Sequence, residues 1–265
     1  MNLRKTLFIL PNLFTLSSIF CGFYAILICT SNPSADDHHR AALLIIFAMF
    51  FDTIDGRVAR LTRTQSAFGV QIDSLADVVS FGIATAVLVY SWALSDLGFG
   101  GIAVCFAFAA CGAIRLARFN VLTTDPRGTP QKPGKYIVGL PIPTAAGVLI
   151  SLVVANHAVG GRLMALKPVI VGVTLVLSAL MVSTIKFRSF KDLKLRNPRT
   201  IAFIVIVVGS SIAISLVYHP TFALVWLLGC YVLIGMIETV IALGRRAARR
   251  GGQSVPPPPP EPPKP

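Results

Sequence analysis

Charge is scarce in this sequence. Only 13% of its 265 residues are Asp, Glu, Lys or Arg, while 54% are hydrophobic, and the mean hydropathy is +0.74. A chain with so little polar material does not make a soluble domain. Acidic residues are scarcer still, eleven against 24 Lys and Arg. Cysteine is sparse and unpaired in pattern. Cys21, Cys29, Cys105, Cys111 and Cys230 are odd in number, lack a CxxC spacing and fall inside apolar runs. They read as small buried residues, not as a disulfide framework or a thiolate metal site. No internal repeat is visible either.

What the sequence has instead is long hydrocarbon runs. Stretches close to the roughly 20 residues that cross a bilayer lie near 13–30, 41–60, 71–93, 99–117, 138–158, 168–185, 201–218 and 221–243. They predict an all-α polytopic membrane protein with about eight transmembrane helices. A net charge of +13 would suit a nucleic-acid partner, but the basic residues alternate by loop. With Arg4 and Lys5 placed in the cytoplasm, only Arg40, Arg162 and Lys167 of the 24 Lys and Arg fall on the other side. That pattern is the positive-inside rule, and it argues for membrane lipids and against nucleic acid. Both termini are then cytoplasmic, in a cell (inner) membrane.

The ends read as accessories. Residues 1–10 form a basic and apolar segment suited to an amphipathic surface helix. Signal-peptide cleavage is not expected, because Pro11, Asn12 and Thr15 interrupt the apolar run and what remains is long enough to span. At the other end, residues 245–265 are a basic patch followed by a proline-rich tail. The patch suits anionic headgroups and the tail an extended, disordered chain.

Against this background, four of the eleven acidic residues crowd into 26 positions. FDTIDGRVAR carries Asp52 and Asp55, and VQIDSLADVV carries Asp73 and Asp77. Spacings of three and four put each pair on one helix face, with Gly69 on the face of Asp73. The short LTRTQSAF connection makes the two helices an antiparallel hairpin, so all four carboxylates can meet near the cytoplasmic surface. Clustered carboxylates repel one another in a low dielectric and need a positive partner. Oxygen-only donors point to a hard divalent cation, Mg²⁺ or Mn²⁺. Two such ions about 4 Å apart would clamp a phosphoryl centre. Gly56 and Ala59 leave room for a bulky ligand, and Arg60 can meet a phosphate. The plainer alternative is a set of interfacial salt bridges to Arg57, Arg60 and Arg63.

The array Asp52-x2-Asp55-Gly56-x2-Ala59-Arg60-x8-Gly69-x3-Asp73-x3-Asp77 resembles the signature of the CDP-alcohol phosphotransferase family, with every specified position filled. The resemblance implies transfer of a substituted phosphate from a CDP-linked donor to an alcohol, release of CMP, a six-helix membrane core and a homodimer. The core would cover residues 11–187, and residues 188–244 would add a cytoplasmic loop and two further helices. It also implies that Asp52, Asp55 and Asp73 ligate metal, and that Asp77 ligates metal or acts as base. Gly56, Ala59, Arg60 and Gly69 would border the CDP group. Asn12 and Thr15 are similar to nucleotide-contacting positions in parts of the family, although polar residues at a helix entry are often caps.

The signature leaves the acceptor alcohol open. AIRLARFN puts Arg115 and Arg118 three apart at a membrane boundary, with Asn120 beyond them. Arginine suits the carboxylate of an amino-acid acceptor, though both residues could serve the positive-inside rule or lipid headgroups alone. RLARFN followed by GLPIP resembles the phosphatidylserine synthase branch, which joins L-serine to CDP-diacylglycerol. There Gly139, Leu140, Pro141 and Pro143 would shape the entrance of the fifth span, and Lys132 and Lys135 would add charge. Phosphatidylglycerophosphate synthesis and an archaeal-type ether-lipid donor, as in archaetidylserine synthesis, fit the same residues. A cation transporter is the remaining reading of intramembrane aspartates, but it predicts acids near the midplane and repeated halves.

Overall fold

The structure is a computed structural model that describes residues 3–62, 64, 66–123, 136–188 and, apart from 208, 214, 217–219 and 231, residues 207–234. Lys132, Lys135, Arg63, most of the predicted seventh span and the tail lie outside the described residues. Helices α1 (Leu3–Thr30) and α2 (Ala35–Leu61) are joined by a tight turn. Ser34 makes the turn sharp. Its hydroxyl accepts from the Asp37 amide while the Asp37 carboxylate accepts from the Ser34 amide, a capping box at the positive end of α2. Asp37 is held below the usual carboxylate range by these bonds to Ser34.

Helix α3 spans Ala67–Leu97, α4 Phe99–Thr123, α5 Ile142–Ala158 and α6 Lys167–Val182, the last preceded by a 3₁₀ segment at Arg162–Leu166. A further apolar helix, α7, occupies Pro220–Ile234. These helices fall where the sequence predicts its spans. Four are long and apolar enough to cross a membrane: Asn12–Thr30, Ala67–Leu97, Phe99–Leu122 and Arg162–Val182. The protein is an all-helical, integral membrane protein. Helix α2 has the length but carries Asp52, Asp55, Arg57 and Arg60 in its last ten residues, and α5 has the apolarity in only 17 residues.

The core is made from small side chains. Ala25, Ala41, Ala42, Ala48, Ala145 and Ala146 are fully buried, with Ile45, Phe81, Phe108 and Leu149 filling the wider gaps. Large apolar residues such as Phe20, Phe47, Phe106 and Val169 face outward. This is the arrangement expected when the solvent is lipid, where close backbone approach supplies the packing energy. A close backbone crossing joins α1 to α3. A Cβ on Gly22 would lie 2.7 Å from Ser80 Cα, so only glycine fits there. Ser80 Oγ donates to the Ser18 carbonyl at 3.0 Å and fixes the contact.

Helix α3 is not uniformly α. It widens into π turns at Val78–Ile83, directly after Asp77, and at Tyr90–Leu94. Such turns re-aim the following face of a helix and recur at functional sites. One feature adds to the all-helical expectation. Tyr136–Val138 (β1) and Lys186–Arg188 (β2) pair antiparallel, Ile137 opposite Phe187, and form a two-stranded strap beyond the ends of α4 and α6.

Candidate active site

The site is built on the α2–α3 hairpin. Helix α2 ends with backbone bonds from Thr62 to Val58 and from Thr64 to Ala59, and α3 restarts at Ser66, whose hydroxyl accepts from the Gly69 amide at 3.0 Å. That N-cap fixes the entry of α3, and a Cβ on Gly69 would meet Ser66 Oγ at 3.2 Å. The turn brings the two carboxylate pairs face to face. Oxygens of Asp52, Asp55 and Asp73 all lie within 4.8 Å of one another. Asp77 stands next to them, since the Asp52 side chain is within hydrogen-bonding reach of both Asp73 and Asp77.

Each carboxylate has a different neighbour. Asp55 is buried and accepts a 2.7 Å bond from the hydroxyl of Thr15, also buried, on α1. Asn12 lies one turn before Thr15 on the same helix and is half-buried. Arg60 is the cation facing Asp55 and Asp73. Its guanidinium folds back over Gly56, where a Cβ would sit 3.7 Å from Nη1. Ala59 is half-buried on the turn between them. Asp77 faces Arg115 of α4, and its Oδ1 is buried without a hydrogen-bond partner.

The acceptor-side residues separate. Arg115 is buried, near enough to Asp77 for its charge to be felt there, and stacked over the Phe119 ring at 5.6 Å. Arg118 points elsewhere. Its guanidinium donates to the carbonyls of Val182 and Ser183 at 2.8 and 2.9 Å, at the end of α6. Asn120 donates to Ser74 Oγ at 2.8 Å, between Asp73 and Asp77 on α3. Gly139 has φ of +78° and donates its amide to the Ile185 carbonyl, and Pro141 is the N-cap of α5. Sequence reasoning missed Ser66, Ser74 and Ser80. Ser66 had a signal, a serine three residues before Gly69 at a helix start; Ser74 and Ser80 had none.

The donors fit a hard divalent cation. Three carboxylates converge without histidine or thiolate, and a fourth has a buried oxygen to spare. Like charges held this close inside an apolar bundle are costly without a cation between them.

The sequence model of the CDP-alcohol phosphatidyltransferase family matches residues 8–184. The chain belongs to this family. Its members depend in general on a divalent metal, in accord with the aspartate cluster. Among curated relatives, a Helicobacter pylori (strain J99) protein named CDP-diacylglycerol--serine O-phosphatidyltransferase is 36% identical over 241 residues, 89% of this chain and 93% of its own length. A Bacillus subtilis protein of the same name is 35% identical over 182 residues, 69% of this chain and 91% of its own. An archaetidylserine synthase from Methanothermobacter thermautotrophicus is 39% identical over 144 residues, 54% of this chain and 56% of its own.

Proposed function

We propose that this member of the family is a phosphatidylserine synthase, transferring the phosphatidyl group of CDP-diacylglycerol to the hydroxyl of L-serine and releasing CMP. The observation that carries the reading is likeness along nine-tenths of both chains to a relative named for that reaction. The convergence of Asp52, Asp55 and Asp73 supplies the chemistry it needs.

In the reaction, the serine hydroxyl oxygen bonds to the phosphorus that carries diacylglycerol, and the bond from that phosphorus to the CMP oxygen breaks. CMP leaves with the electron pair. Asp52, Asp55 and Asp73, with Asp77 at their edge, would hold Mg²⁺ or Mn²⁺ in a two-metal site. When bound, the metal neutralises the diphosphate and the departing CMP. Asp77 takes the hydroxyl proton on the oxygen that has no other partner. Arg60, Gly56, Ala59 and Gly69 border the diphosphate, and Asn12 and Thr15 approach the nucleotide from α1. Arg115, buried near Asp77, is the cation suited to the serine carboxylate. Asn120, Gly139 and Pro141 flank that side, and Lys132 and Lys135, a few residues earlier in the sequence, are proposed to add charge.

The distribution of Lys and Arg supports a cytoplasmic active site and cytoplasmic termini. Homodimerisation is proposed on the family resemblance alone. The archaetidylserine synthase relative favours one second reading, the same acceptor with an ether-lipid donor.

The deciding experiment is CMP release by purified protein in mixed micelles with CDP-diacylglycerol and Mn²⁺ or Mg²⁺. L-serine and glycerol 3-phosphate are offered separately, with Asp77→Asn as control. Serine-dependent release that the variant loses is expected. Release with glycerol 3-phosphate alone would refute the acceptor, and no release with any alcohol would refute the enzyme.

A further inference from the structure

The last three turns of α4 reach three parts of the protein at once. Asn120 bonds Ser74 on α3, Arg115 faces Asp77, and Arg118 caps α6. The α6 end is unusual in how its final carbonyls are used. The Leu180 carbonyl accepts from the Leu140 amide at 3.1 Å, and the Ile185 carbonyl accepts from the Gly139 amide at 2.8 Å. Between them, the carbonyls of Val182 and Ser183 accept the two Arg118 bonds. A helix end leaves such carbonyls without intrahelical partners and favours a cation beside them. Here the cation comes from 64 and 65 residues earlier in the chain.

The same guanidinium bears on the strap. Gly139 follows β1 directly, and a Cβ there would lie 3.0 Å from Arg118 Nη2 and closer still to the Met181 carbonyl. The strap therefore passes between Arg118 and the α6 end only because residue 139 has no side chain and tolerates a positive φ.

We propose that Arg118 is a positioning residue, a latch that holds the β1–β2 strap and the end of α6 in register with the carboxylates of α3 and so shapes the acceptor side of the site without touching the acceptor. The proposal rests on the phosphatidylserine synthase reading for its kinetic test but not for its structural one.

Two measurements test it. Hydrogen exchange on the full-length protein in detergent compares wild type with Arg118→Ala at the Gly139 and Leu140 amides; the latch predicts faster exchange in the variant. Kinetics compare serine with serinol, which replaces the carboxylate by a hydroxymethyl group. A latch lowers kcat/KM for both acceptors by a similar factor, about 10- to 100-fold, the size expected for lost hydrogen bonds to a charged group. The serine-to-serinol preference then stays as in wild type. Arg118→Lys restores part of the rate, Gly139→Ala reproduces the loss, and combining it with Arg118→Ala adds little.

Loss of rate with serine only, collapsing the preference, would make Arg118 a direct carboxylate ligand and overturn the proposal. Unchanged exchange would overturn it too, as would faster exchange with untouched kinetics. If wild type releases no CMP with serine, the functional reading fails, and the exchange comparison still decides whether the latch exists.

Discussion

Thr15→Val removes one hydroxyl and almost no volume from the wall of the carboxylate cluster. Thr15 Oγ1 donates to Asp55 Oδ2 at 2.7 Å, and both residues are 4% exposed, so water does not replace the lost donor. A hydrogen bond to a charged group contributes about 1.5–3 kcal/mol. Partners that orient a metal ligand typically account for about 10- to 100-fold in metal affinity, and at about 1.4 kcal/mol per tenfold the two ranges agree. The assay is CMP release against Mn²⁺ concentration at saturating CDP-diacylglycerol and serine. The half-saturating Mn²⁺ concentration should rise about 10- to 100-fold while the plateau rate changes little, and Thr15→Ser should behave as wild type. An unchanged Mn²⁺ dependence with a raised KM for CDP-diacylglycerol would refute the reasoning and leave Thr15 with its nucleotide role alone and no part in orienting Asp55.

Further outcomes follow from the same geometry. Asp77→Asn should reduce kcat by about 10²- to 10⁴-fold, the usual contribution of a positioned base, while Mn²⁺ still binds as judged by electron paramagnetic resonance. Chelation with EDTA should stop CMP release, and added Mn²⁺ or Mg²⁺ should restore it. Gly22→Ala forces a methyl to 2.7 Å from Ser80 Cα and should cost about 1–3 kcal/mol, seen as a lower unfolding temperature in detergent. Burial holds His38, which precedes the second span and pairs with Ser91, below its ordinary value. The unfolded chain therefore takes up a proton below about pH 6.5 that the folded chain resists. This contribution is present above that pH and is lost as pH falls through the window beneath it. His38→Gln should flatten the acid-side slope of thermal stability.

The convergence of the aspartates in the carboxylate half of the site was legible because its information is local. Spacings of three and four fix which aspartates share a helix face, and a connection of a few residues leaves the two helices no choice but to pair. The acceptor half was not. Arg115 and Arg118 have the same spacing as Asp52 and Asp55, yet one turns toward Asp77 and the other toward α6. A long side chain goes where a distant element offers a partner, and nothing near residue 118 announces the carbonyls of residues 182 and 183. The π turn after Asp77 and the three-residue strands were unreadable for a related reason. Both are set by what packs against them, and neither is long enough to leave a periodic pattern. Helix α2 was legible as a helix from its apolar stretch, although the charges of its last ten residues keep it out of the four that are apolar enough to span.

The order of these contacts along the chain has a consequence for assembly. Thr15 and all four aspartates lie within the first 77 residues, so the carboxylate cluster can form once three helices have entered the membrane. The partners of Arg118 are not made until residue 183 has been synthesised. During biogenesis the carboxylate cluster is thus complete while the proposed acceptor side is still open. A chain stopped anywhere between Leu97 and Val182 should capture Mn²⁺ yet lack an ordered strap, an unfinished enzyme that holds its cation before it can choose its alcohol.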